Sequence, residues 1–154
     1  MLEYYRYRGA RALVLMHERY MREFWVMWKQ AKAANITLPK TDDPDYESLN
    51  HLLHHVLRAA RGYMTWMCEK LALPDPQIQP APPPERAEAE ADQYLEQVLE
   101  RWREPLAGVE EPRFNDTYKS RWGMDYSMDS MLEHAVCHPL RHTFQLQELM
   151  GNQK

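Results

Sequence analysis

The sequence predicts an all-α protein, a four-helix bundle built as a single domain over residues 1–154. Three observations predict it. Apolar residues recur at steps of three and four through four long segments, which is the period of an amphipathic helix. Most residues that break helices gather between those segments, Pro139 being the main exception. No stretch alternates polar and apolar residues well enough to predict a strand. Four such helices of similar length, joined by loops, bury their apolar faces against one another. No internal repeat suggests a solenoid instead.

The first helix is expected over about residues 4–34, where Leu13, Met16, Tyr20, Phe24, Met27 and Trp28 form the apolar stripe. A turn-rich connection, NITLPKTDDP, follows. The second helix is expected to enter at Asp43 and Pro44 and to run to about residue 73, with Leu49, Leu52, Leu53, Val56, Ala60, Tyr63 and Met67 facing one way. Residues 74–84 then place six prolines in eleven positions, which excludes helix and predicts an extended, polyproline-like link. The third helix, ERAEAEADQYLEQVLERW, is acidic early, as suits a helix N-terminus, and apolar later at Tyr94, Leu95, Val98, Leu99 and Trp102. Residues 105–123 give no steady period. The fourth helix is expected over about residues 127–150, carrying Met128, Met131, Leu132, Ala135, Leu146 and Leu149, with Gly151 in the C-cap position.

Composition narrows the partners. The net charge of −4 and the scattering of Lys and Arg among Asp and Glu exclude the basic stripe of a nucleic-acid binder. The longest apolar run near the start, ALVLM, falls far short of a membrane span, and no signal-peptide pattern accompanies it, so a cytoplasmic location is expected. Two cysteines, Cys68 and Cys137, both in apolar helical segments, are expected to be reduced thiols.

The histidines carry the chemistry. In EHAVCHPLRH, with Met128 set to zero and about 100° per residue, His134, His138 and His142 fall near 240°, 280° and 320°, rotating towards the apolar face. His138 and His142 are therefore the pair that points inward, one turn apart, and His134 stays peripheral. Cys137 falls on the opposite side, at about 180°. Buried imidazoles need partners, and a metal ion suits an i, i+4 pair. Pro139 removes a backbone hydrogen bond beside the pair and is expected to kink the helix there. A third ligand has to come from another helix, and NHLLHH in the second offers His51, His54 and His55. His55 is preferred because its flank lacks charge, whereas His54 shares its flank with Arg61 and His51 projects outward; His54 and His51 remain alternatives. The lone His17 reads as a packed or solvated side chain.

These stretches resemble a known family. SLNHLLHHVLRAARGYMTWM followed by YSMDSMLEHAVCHPLRHTFQLQEL is similar to the DinB/YfiT-like superfamily of metal-binding four-helix bundles, which is unrelated to the DNA polymerase of the same name. The resemblance implies one ligand early in the second helix and a histidine pair in the last, the second of that pair opening an HxxQ segment. HTFQ then places the pair at His138 and His142, and LLHHVL places the third ligand at His55. It implies a divalent metal ion, zinc or nickel, and a homodimer, for which five Trp and nine Tyr would supply interface anchors. Two residues depart from the family pattern. Pro139 stands where relatives have a helix-compatible residue, and His54 where they commonly have Gly.

Characterised members of that superfamily include transferases and isomerases that use a low-molecular-weight thiol. The resemblance thus implies a metal-dependent enzyme acting on a small-molecule substrate, with thiol transfer first and metal-assisted hydrolysis second. Tyr63, Trp66 and Gln145 are candidates for contact with the ligands or substrate, but each reads first as a packing or surface residue, since aromatic residues on helix stripes usually belong to the core. The competing expectation is a non-catalytic dimeric stress or binding protein whose histidines hold a structural ion or none. It draws on the lack of any visible nucleophile, general base or phosphate loop beside the histidines.

Overall fold

The computed structural model describes residues 4–151; residues 1–3 and 152–154, the two ends of the expected 1–154 domain, lie outside the described residues. The chain folds into four helices, α1 (Arg8–Ala33), α2 (Leu49–Lys70), α3 (Pro84–Trp102) and α4 (Met128–Gly151), with a two-stranded hairpin, β1 (Thr117–Lys119) and β2 (Asp125–Ser127). The all-α class expected from the periodicity is what forms. α1 packs mainly along α4 and α2 mainly along α3, and α2 also meets α4. The buried apolar side chains of all four helices join in one core cluster.

Each helix buries the stripe that its spacing sets up. In α1 the buried positions are Ala10, Val14, His17, Met21, Phe24, Trp25, Trp28 and Ala31. Large indoles enter this core because their N–H groups find acceptors: Trp28 donates to the Leu49 carbonyl (2.6 Å) and Trp102 to that of Ala60 (2.9 Å). α1 ends where Asn35 turns left-handed (φ 53°), so that the Ile36 N–H reaches back to the Ala31 carbonyl at 3.0 Å.

α2 begins later than expected. Asp43 caps only a single 3-10 turn, Pro44–Tyr46, its carboxylate accepting from the Asp45 N–H at 2.9 Å. Ser48 then caps α2 itself, accepting from the His51 N–H at 3.3 Å. α2 ends at Lys70, short of residue 73, because Ala72 turns left-handed (φ 55°). α4 runs without a break through Pro139, and Gly151 is its last residue rather than a cap beyond it.

The link between α2 and α3 is irregular, as its prolines dictate, and it is fastened down. Ile78 is buried in the core cluster. The carbonyls of Ile78, Gln79 and Pro82 bond to Arg61 (2.9 Å), Tyr94 (2.9 Å) and His54 (2.7 Å). Pro84 starts α3 in the first-turn position where a missing N–H costs nothing.

The hairpin corrects the expectation that no strand would form. β1 and β2 pair antiparallel with Tyr118 opposite Tyr126, and Gly123 (φ 85°) makes the turn. Its tip carries Arg121 and Trp122. Both cysteines are free thiols, Cys68 buried and Cys137 exposed. Among the described residues no helix is long and apolar enough to cross a membrane.

Candidate metal centre

Three histidines from two helices converge. His138 and His142, one turn apart on α4, are both buried, and His55 of α2 reaches across to them. The His55 Nε2 lies 2.9 Å from the His138 Nε2. One ligand atom from each ring lies within 4.8 Å of the others, so the three can hold a metal ion. The His142 ring stands nearly perpendicular to those of His55 (89°) and His138 (83°).

The outer face of two rings is anchored. Asp45, in the 3-10 turn before α2, approaches the His55 Nδ1 at 2.9 Å. A carboxylate at neutral pH only accepts, so the proton of a neutral His55 sits on Nδ1 and its Nε2 lone pair faces inward. Arg58 holds the same carboxylate from the other side, at 3.0 and 3.2 Å. Gln145 does for His142 what Asp45 does for His55, its Oε1 lying 2.8 Å from the His142 Nδ1. The inward His142 Nε2 is buried with no hydrogen-bond partner.

Burial sets the protonation. It pushes His138 down from 6.5 to about 2, helped by the neighbouring charges of His142, His55 and Arg141. It lowers His142 to about 4 against the opposing bond to Gln145. It lowers His55 as well, with Asp45 working the other way. All three are therefore neutral imidazoles near pH 7, the form that ligates.

The donor set fits a divalent ion. Nitrogens of a tetrahedral zinc site sit ~3.4 Å apart when each bond is ~2.1 Å. That separation falls between the 2.9 Å of the closest pair and the 4.8 Å within which all three lie. An orphaned buried acceptor at His142 Nε2, two anchored tautomers and neutral rings are the preparation a metal needs.

A cavity of ≈ 480 Å³ opens beside the histidines. Two helical stripes wall it: His55, Arg58, Ala59, Gly62, Tyr63 and Trp66 from α2, and Met131, His134, His138 and Arg141 from α4. Both follow the helix repeat, so each wall is one face of its helix. Arg121 and Trp122 of the hairpin tip and Tyr46 of the 3-10 turn complete it.

The other histidines are engaged elsewhere. His54, next to His55 but turned ~100° away, bonds the Pro82 carbonyl. His51 sits at the α2 cap, its Nδ1 2.8 Å from Ser48 Oγ and its Nε2 3.4 Å from Glu47. His134 is half-buried against Tyr63, Trp122 and Tyr126, outside the cluster. His17 is buried and stacked on Trp102, ring centroids 3.6 Å apart. Cys137 points outward.

Of the three candidates that the sequence reads first as packing or surface residues, Gln145 touches a cluster histidine directly, while Tyr63 packs its ring against His134 and His138. Trp66 lines the cavity and ties the hairpin to α2 through its bond to the Lys119 carbonyl at 3.2 Å. Asp45, Tyr46, Arg58, Arg121, Trp122 and Arg141 were not foreseen. For Arg58 and Arg141 the signal was present, because each lies three residues after a cluster histidine and so on the same helix face. Set against known proteins, the chain matches no family model, no curated protein and no solved structure.

Proposed function

We propose that the chain is a divalent-metal protein of the DinB/YfiT-like kind, a single-domain four-helix bundle in which His55, His138 and His142 hold a zinc or nickel ion. The reaction proposed is transfer of a low-molecular-weight thiol to an electrophilic substrate: the thiol loses its proton, sulfur bonds carbon, and the leaving group departs with the electron pair. One observation carries the proposal, the convergence of three neutral imidazoles on one point beside an open cavity. A divalent ion in such a site makes a thiol or water beside it acidic enough to be a nucleophile near pH 7.

The chain's own residues do the rest. Asp45 and Gln145 hold the rings with their lone pairs inward. The apolar wall of Trp66, Met131 and Trp122 limits water and receives a substrate. A purely structural ion would be expected in a closed, four-ligand site, whereas the His55 and His138 side chains line the cavity. A homodimer, which rests on the family resemblance, and a cytoplasmic location, which rests on the shortness of the apolar runs, belong to the same proposal.

The test is elemental analysis of protein purified without a histidine tag. About one divalent ion per chain is expected, lost in His138→Ala and in His142→Ala. Absence of stoichiometric metal, together with unchanged melting in both variants, removes the metal site. If metal is present, a panel of bacillithiol, mycothiol, glutathione and coenzyme A with electrophiles tests the reaction. No metal-dependent thiol consumption across that panel removes thiol transfer.

A further inference from the structure

The charge of the cavity wall is at odds with the charge of the chain. The protein carries a net charge of −4, yet the cavity is lined by three arginines, Arg58, Arg121 and Arg141, and by no Asp or Glu. Several arginines elsewhere are taken up by carboxylates. Arg22 bridges Glu18 and Glu96, Arg103 pairs with Glu18, and Arg6 with Glu110. Arg58 likewise spends its charge on Asp45. Arg121 and Arg141 are not spent in this way: among the described residues neither has a carboxylate within ion-pair distance, and both line the cavity.

Local structure brings both arginines to the cavity wall. Arg141 is one turn beyond His138 on the stripe that carries Met131 and His134. Arg121 stands at the hairpin tip and reaches over α2 at Gly62; a Cβ added there would lie 3.6 Å from the Arg121 Nη1. That is ordinary contact distance, so the guanidinium lies directly across this turn of the helix. The remaining wall is aromatic and apolar, with Trp66 and Trp122 among its faces.

We propose that this cavity binds a small organic anion, a carboxylate or phosphate joined to an apolar body, with Arg121 and Arg141 holding the oxyanion and Trp66 and Trp122 covering the body. Guanidinium forks match oxyanions of both kinds, and aromatic faces add apolar contact at little entropic cost. Only the placement of the ligand's reacting group over the histidines rests on the metal-site proposal. The anion site itself does not.

Calorimetric titration with benzylphosphonate and with neutral benzyl alcohol tests it, on zinc-loaded and on chelator-stripped protein. Benzylphosphonate is expected to bind at least about tenfold tighter than benzyl alcohol with or without zinc, the order that one charge-assisted contact supplies. Arg121→Gln and Arg141→Gln should each weaken it by roughly tenfold, and the lysine variants should retain part of the affinity because the charge remains. Both arginines are exposed, so their substitution leaves the core intact. His138→Ala should lose zinc and keep arginine-dependent binding. Equal affinity for the two probes, or affinity that depends on zinc but not on the arginines, overturns the anion site and leaves the metal site standing. Arginine-dependent binding in a protein that holds no zinc does the reverse.

Discussion

His17 gives the cleanest quantitative prediction, because it is an ionisable ring sealed in the core away from the candidate centre. It is 1 % exposed, lies flat on Trp102, and neither ring nitrogen has a hydrogen-bond partner. Burial alone pushes its pKa from 6.5 down to about 3. The native state therefore refuses a proton that the unfolded chain accepts below pH 6.5. Its contribution is complete above that pH and is lost as the pH falls towards 3. At ~1.4 kcal/mol per unit, the loss attributable to His17 is about 3 kcal/mol by roughly pH 4.5. For a chain of this size that corresponds to ~6–12 °C of melting temperature.

The perturbation is His17→Phe, which keeps a flat ring against Trp102 and cannot titrate. Thermal melts of both proteins at pH 7 and at about pH 4.5, with a chelator present throughout, isolate the effect as a difference of differences. The larger ring adds a pH-independent packing cost that cancels. The wild type should lose about 3 kcal/mol more than the variant over that interval. Parallel loss in the two proteins would show that His17 takes up its proton inside the native fold, and would refute the argument from burial.

Further outcomes follow from the centre and its surroundings. Asp45→Ala frees the outer edge of His55 and should weaken zinc binding ~10–100-fold in a competition titration against a chromophoric chelator. Asp45→Asn, which keeps an acceptor oxygen, should lose less; zinc affinity unchanged in both would show that the carboxylate does not orient the ring. His54→Ala removes the 2.7 Å bond to the Pro82 carbonyl and should cost about 1 kcal/mol in urea denaturation while zinc uptake stays at the wild-type level. Gly62→Ala meets Arg121 only at ordinary contact distance and should stabilise α2 by ~0.5–1 kcal/mol, whereas destabilisation would mean that the hairpin tip sits closer than it does here.

The helices were legible because burial obeys the same repeat as the sequence: Val56, Ala60, Tyr63 and Met67 were expected on the inner face of α2 and are buried there. The inward turn of His138 and His142, and the outward turn of Cys137, followed from phase alone, because α4 continues through Pro139. What phase cannot reveal is a partner contributed by a non-helical segment. Asp45 precedes His55 by ten residues in a loop, and only the 3-10 turn brings its carboxylate to the imidazole. The hairpin escaped for a related reason. Strands of three residues are too short to display alternation, and their pairing depends on the turn at Gly123 rather than on a stripe. The start of α2 was misplaced because Asp43-Pro44 and Ser48 are both good caps, and the chain uses them in succession for two different helical pieces.

α2 divides its labour by flank. His54 and Arg61, one stripe, clasp the carbonyls of the proline-rich link, while His55, Arg58, Gly62 and Trp66, the other, face the cavity. The link thus touches the helix on the side away from the chemistry. Over evolutionary time, insertions and deletions in residues 74–83 are shielded from the cavity by the body of α2 itself.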